Sequence, residues 1–254
     1  MRIISFSADG IVNAAEKGFY DWLTEQDADI VCIQDLQCSE YDLQDQVYFP
    51  ADYNAYFFDD VNGKSNGVAI YCRQMPKAII TGLGFIDFDM EGRYIQADYE
   101  NLSVGCLLAP WAENGNTEQQ TRKNDFFSLL QNHMTKIQNK RRQFIVCGNW
   151  QLAHLAADVQ DTEYNINSSG FLPEERPWMN ETIDAGYVDA FREINSDTDE
   201  FSWWPDGDRE KNGWRTDLQI VSKALKYSVE YGAIYKGKEF SSHAPVIMDY
   251  DLEI

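Results

Sequence analysis

Short apolar runs broken by polar punctuation recur along the whole chain, and their spacing predicts its elements. Arg2–Phe6 and Asp29–Ile33 read as buried strands, because brief, continuous apolar runs suit strands covered on both faces. Between them Ala15, Phe19, Trp22 and Leu23 fall at helical spacing, and Asn13 with Glu16 predicts a capping box. A strand, a helix and a strand in so short a span predict a crossover unit feeding a layered sheet. Tyr53–Phe58, Gly67–Arg73, Lys77–Leu83, Arg93–Tyr99 and Leu102–Leu108 follow, split by Gly, Asn, Asp or Pro, and predict an antiparallel meander.

The second half continues in the same way. Thr117 with Gln120 predicts a capping box opening a helix that runs to about Asn139. Its apolar face holds Phe126, Leu129, Leu130, His133, Met134 and Ile137, so His133 reads as a core-edge histidine. Phe144–Cys147 is a strand that stops at Gly148. Asp158–Ser169 reads as loop with broken helix, and Glu174–Ala185 as helix. Tyr187–Phe191, Phe201–Trp204, Arg215–Val221, Val229–Ile234 and Pro245–Tyr250 read as strands. Trp178, Trp203, Trp204 and Trp214 are candidate core aromatics. No linker, low-complexity tract or repeat intervenes, so residues 1–254 read as a single domain.

Composition narrows the class. With 21 Lys+Arg against 42 Asp+Glu the net charge is −21, the opposite sign to a free nucleic-acid binder and well suited to solubility. Four of the five cysteines (Cys32, Cys72, Cys106 and Cys147) sit in apolar runs, and none of the five forms a Cys-x-x-Cys pair. That pattern argues against zinc or a disulfide framework and for a reducing cytoplasm. No stretch has the ~18 consecutive apolar residues of a membrane helix. The densest basic run, Lys140-Arg141-Arg142, with Arg122 and Lys123 upstream, suits the negative end of a helix dipole or a partner's surface.

The chemistry concentrates at Ile145–His154, where a strand ends in polar side chains; open α/β folds place ligands at such strand ends. Its Gly148-Asn149-Trp150-Gln151-Leu152-Ala153-His154 run resembles the Gly-Asp-x-Asn-x-x-His run of the exonuclease III-like endonuclease/exonuclease/phosphatase family. Further matching pieces include IISFSADG, DIVCIQD, GFLPEERPWM, NGWRTDLQIVS and SSHAPVIMDY. The resemblance implies an α+β fold, a four-layered α/β/β/α sandwich. In that family acids, a histidine and amides cleave phosphoesters with Mg²⁺.

Carried over residue by residue, the resemblance implies a degenerate site. Ser7 replaces an Asn, Asp35 a metal-binding Glu, and Leu108 a Tyr. Asn149 replaces the water-activating Asp, Gln151 an Asn, and Ser242 an Asp, while Asp217 and His243 are retained. An amide cannot take a proton from water at neutral pH. Two carboxylates, Asp35 and Asp217, are expected to survive, with no catalytic residue and no resident metal. The substitutions resemble those of one branch of the family, the bacterial catabolite repression control proteins. That likeness implies a cytoplasmic, non-catalytic regulator without cofactor. It would repress translation together with Hfq bound to A-rich mRNA, touching RNA only in that complex through Lys140, Arg141 and Arg142, away from membranes. Self-association is left open. The alternatives are a Mg²⁺- or Mn²⁺-dependent exonuclease III-like nuclease or abasic-site endonuclease with a weakened site, and a small-substrate phosphoesterase.

Overall fold

Twelve strands form two six-stranded mixed sheets. A computed structural model describes residues 1–254. Sheet one contains β1 (Arg2–Ser7), β2 (Ile30–Gln34), β3 (Asn54–Phe58), β4 (Val68–Cys72), β11 (Val229–Ile234) and β12 (Val246–Tyr250), in the order β11-β12-β1-β2-β4-β3. Sheet two contains β5 (Ala78–Thr81), β6 (Tyr94–Asp98), β7 (Leu102–Leu108), β8 (Gln143–Asn149), β9 (Tyr187–Asp189) and β10 (Asp217–Ser222), in the order β5-β6-β7-β8-β10-β9. The centre of each sheet is a parallel pair, β1–β2 in one and β7–β8 in the other. β1 also pairs antiparallel with β12, Arg2 opposite Asp249.

The strand periodicity of two sorts side chains into layers. From β8, Ile145 and Cys147 enter the core between the sheets, where Ile3, Ile30 and Val104 also lie. Phe144 and Val146 point the other way, onto α3 (Thr117–Gln138) and, beyond the single turn α4 (Thr162–Asn165), α5 (Arg176–Asp184), with Phe126, Leu130 and Met179. On the outer face of sheet one, α1 (Ile11–Glu16) and α2 (Phe19–Thr24) cover Ile4 and Phe6 through Phe19, Trp22 and Leu23. The result is the expected helix–sheet–sheet–helix sandwich. No helix is long and apolar enough to cross a membrane.

Several local expectations are corrected. The first helix is two short ones, because Gly18 between them adopts φ 83 and turns the chain. α1 starts at Ile11 with no side-chain cap, so Asn13 lies inside it. α3 is capped by Asn116, one residue ahead of Thr117, its side chain accepting from the Gln119 amide. Phe127 is buried on α3 while Leu129 is exposed. The five-strand meander is divided: β3 and β4 pair in sheet one, whereas β5, β6 and β7 pair in sheet two. The Tyr187–Phe191 strand ends at Asp189, whose side chain caps a short helix, α6 (Ala190–Ile194). Trp204 and Trp214 are buried as expected, Trp203 and Trp178 are half-buried, and the fully buried Trp150 joins the core. All five cysteines are buried and unbridged.

Candidate active site

The two parallel pairs end at one common rim, where a side-chain hydrogen bond ties β8 to β1. Asn149, the last residue of β8, donates from Nδ2 to Ser7 Oγ, the last residue of β1, at 3.3 Å. Register places Leu108 and Asp217 on either side of Asn149. Gly148 makes that register attainable: it has φ 148, and a Cβ there would lie 1.9 Å from the Leu107 carbonyl oxygen. The other oxygen-bearing end of Asn149 is also engaged, Oδ1 accepting from the Gln151 amide at 3.0 Å. Asn149 is thus a buried, doubly bonded brace and holds no basic site.

His243 enters from the segment before β12. Its Nδ1 donates to Asp217 Oδ2 at 2.8 Å, and that oxygen also accepts from Ser202 Oγ at 2.6 Å. The ring stacks on Trp203, with centroids 5.7 Å apart and planes 17° apart. Ser241 Oγ donates to the Ser7 carbonyl at 2.6 Å, tying this segment to the end of β1. Burial opposes the charged imidazolium, but Asp217, followed by Asp9 and Asp35, outweighs it and holds the His243 pKa above 6.5. Beneath Asp217, the buried Arg215 pairs with Asp158 at 2.8 Å and Asp189 at 2.6 Å, fixing the entry to β10.

Asp9 is the residue that alignment with the family frame passes over. It lies in the turn after β1 with φ 47. Its Oδ2 accepts from the Ser242 amide at 2.9 Å and from the Ser242 hydroxyl, and its Oδ1 lies 4.0 Å from His243 Nε2. A carboxylate is therefore delivered from the first strand to the position beside His243 where Ser242 has none. The expectation of two surviving carboxylates becomes three. The signal was present in Ser7-Ala8-Asp9-Gly10: an acid gained in one loop answers the acid lost in another.

Asp35, past the end of β2, faces the same rim with φ 57 and accepts from Gln37 Nε2 at 2.8 Å. Burial, with the charge of Asp9, raises its pKa. Of seven non-glycine residues at positive φ, four (Asp9, Asp35, Gln37 and Gln151) line this rim, the kind of backbone strain that gathers at functional sites. No three His, Cys, Asp or Glu side chains form a cage for a metal ion. Mg²⁺, however, is commonly held by one or two carboxylates with water and substrate oxygens completing the shell. Asp9 and Asp35 are the rim carboxylates that would hold such an ion, with the Asp9 charge among the causes that raise the Asp35 pKa. An ion there would supply Lewis-acid polarisation of a phosphoryl oxygen.

The remaining site expectations fall away from the rim. His154 bonds Asn180 Oδ1 at 2.7 Å on the surface. Lys140, Arg141 and Arg142 precede β8 and so lie at the opposite end of that strand, ~20 Å from Asn149 at ~3.3 Å per residue. Arg142 is paired with Asp98 at 2.8 Å. Lys123 is not a surface cation at all: it is buried against Glu175 at 2.8 Å, and Arg122 is held by Glu91.

Comparison with known proteins assigns the architecture. A model of the Endonuclease/Exonuclease/phosphatase family matches residues 8–235. The chain belongs to that family. It is 32% identical over 253 residues to an exodeoxyribonuclease of Bacillus subtilis (strain 168), covering 97% of this chain and 98% of that protein. The DNA repair nuclease APEX1 of Danio rerio is 30% identical, covering 98% of this chain and 81% of that protein. The fold matches that of an AP endonuclease from Archaeoglobus fulgidus with a TM-score of 0.90 at 21% identity, over 99% of this chain and 100% of that one. The expectation of a non-catalytic chain is overturned by these relatives, which are named as nucleases and match 97% and 98% of this chain. It rested on position-by-position loss, which does not count an acid supplied from a different loop.

Proposed function

We propose that this chain is a divalent-metal-dependent nuclease of the exonuclease III-like type, cleaving phosphodiester bonds in DNA from a site weaker than that of relatives with the acid in place. The observation that carries this reading is the convergence of Asp9, Asp35 and the Asp217–His243 pair on one rim. His243, oriented by Asp217 and biased toward its charged form, donates from Nε2 to the phosphoryl oxygen on which negative charge develops. Asn149 takes no proton, so the proton of the attacking water passes to the rim carboxylates. A base held in place supplies ~10²–10⁴-fold, and its loss from position 149 sets the scale of the weakening. Likeness over nearly the whole of this chain to an exodeoxyribonuclease and a DNA repair nuclease supports DNA as the substrate.

The test uses two duplexes, one with an abasic site and one with a recessed 3′ end, each incubated with Mg²⁺ or Mn²⁺. Slow cleavage of at least one, reduced 100-fold or more by His243→Ala, is expected. No product from either duplex at stoichiometric protein would refute the proposal.

A further inference from the structure

We propose that Lys123 is a positioning residue for this site, acting from the first half of α3 through the backbone of Gln151. This deepens the nuclease reading and rests on it for its kinetic arm alone. Lys123 and Glu175 form an ion pair at 2.8 Å with side chains 1% and 0% exposed. Removing two charges from water is costly, and such pairs are often replaceable by apolar residues without loss of stability. A buried pair of this kind is a poor source of net stability, and its geometry points to a further role.

Lys123 Nζ donates to the Gln151 carbonyl oxygen at 2.7 Å. Gln151 is the non-glycine residue at φ 54 that follows Asn149 by two positions, and its amide donates to Asn149 Oδ1. One residue thus carries the ammonium's hold on its carbonyl and the brace of the site on its amide. The chain of contacts runs from Glu175 to Lys123, Gln151, Asn149 and Ser7. Glu175 is itself anchored. Its Oε2 accepts from the Gly170 amide at 2.6 Å and the Leu172 amide at 3.1 Å, and its Oε1 from Gln120 Nε2 at 2.9 Å. Burial pushes the Lys123 pKa down, with Glu175 opposing that shift, so the carboxylate is what keeps a full complement of donors on Nζ. A left-handed glutamine needs such over-determination to persist, and the hold on its backbone fixes the direction in which its side chain leaves the chain.

The experiment pairs the double variant Lys123→Met/Glu175→Gln with Lys123→Arg. The double variant removes both charges at once, so neither is left buried and unpaired. Displacement of a site group by ~1 Å can cost ~10²-fold in rate. The double variant is expected to lose 10- to 100-fold in kcat with KM within threefold, and the Gln151 amide to exchange with deuterium at least tenfold faster. Lys123→Arg, which keeps a charged donor, is expected to retain kcat within threefold and the exchange protection of the parent. A folded double variant with parental kcat and parental Gln151 protection overturns the proposal. So does Lys123→Arg losing as much as the double variant, since packing rather than donation would then be at work. If the parent protein cleaves neither duplex, the nuclease reading fails by itself, and Gln151 exchange still decides the role of Lys123.

Discussion

Asp9 holds Ser242 by both its amide and its hydroxyl, although the two residues lie at opposite ends of the chain. The contact places the Asp9 carboxylate where the family frame has an acid at position 242. Asp9→Asn is expected to lower kcat by ~10²-fold, in the range for a charged group acting on the transition state. Ser242→Asp alone should also lower it, because two carboxylates would then share one place. The exchange Asp9→Asn/Ser242→Asp should recover at least tenfold over either single variant. Steady-state cleavage of abasic-site duplex checks all three, and a double variant as poor as the worse single would refute the equivalence.

Asn149→Asp should separate activity from stability. The side chain is buried and donates to Ser7, whose hydroxyl can turn to donate instead. A carboxylate there restores a base at the end of β8, and kcat is expected to rise ~10-fold or more. Burying the new charge is expected to cost ~1–3 kcal/mol. Cleavage assays and thermal melts on one preparation read both effects. A variant that is both slower and more stable would contradict the role given to Asn149.

The His243–Asp217 pair makes stability depend on pH in a defined direction. The folded-state pKa of His243 is above 6.5. Its contribution is therefore fully present below about pH 6.5 and is lost as pH rises through the raised value. Melts at pH 6 and pH 9 should show the parent losing more stability across that window than His243→Gln. Equal losses would remove the charged pair from the account.

Trp204 tests the separation of scaffold from site. It is 2% exposed in the core between the sheets. Trp204→Ala is expected to cost ~3–5 kcal/mol. His243→Ala should cost much less in stability while costing far more in rate. Urea denaturation of the two variants checks this, and the reverse order would sink it.

Much of the fold could be read because buried strands announce themselves. Phe144–Cys147 is apolar at every position and Pro110 follows the end of β7, although β8 runs through Gly148 to Asn149 and does not stop at the glycine. What could not be read is which neighbour each strand takes. Nothing local distinguishes the β4-to-β5 step, which changes sheets, from the β5-to-β6 step, which does not. The site was legible as positions and misread as chemistry. Asp217 and His243 meet at the rim 2.8 Å apart, and an amide at position 149 has no basic lone pair. Asp9 was missed because its value depends on reaching across more than two hundred residues to Ser242. Lys123 was read as surface charge because its burial depends on Glu175, a partner the helix pattern does not reveal.

The pairing of β1 with β12 has a consequence for synthesis. Met1 donates to the Tyr250 carbonyl at 2.7 Å, and Arg2 stands opposite Asp249. A nascent chain emerging from the ribosome cannot complete sheet one until β12 is made. Contacts of such sequence separation form late and expose unpaired edges meanwhile. Asp9, whose loop is shaped on Ser242, gains its place only at that step. The rim is thus assembled only once the segment leading into β12 is present, and a chain stopping before Ser242 lacks the contact that places Asp9.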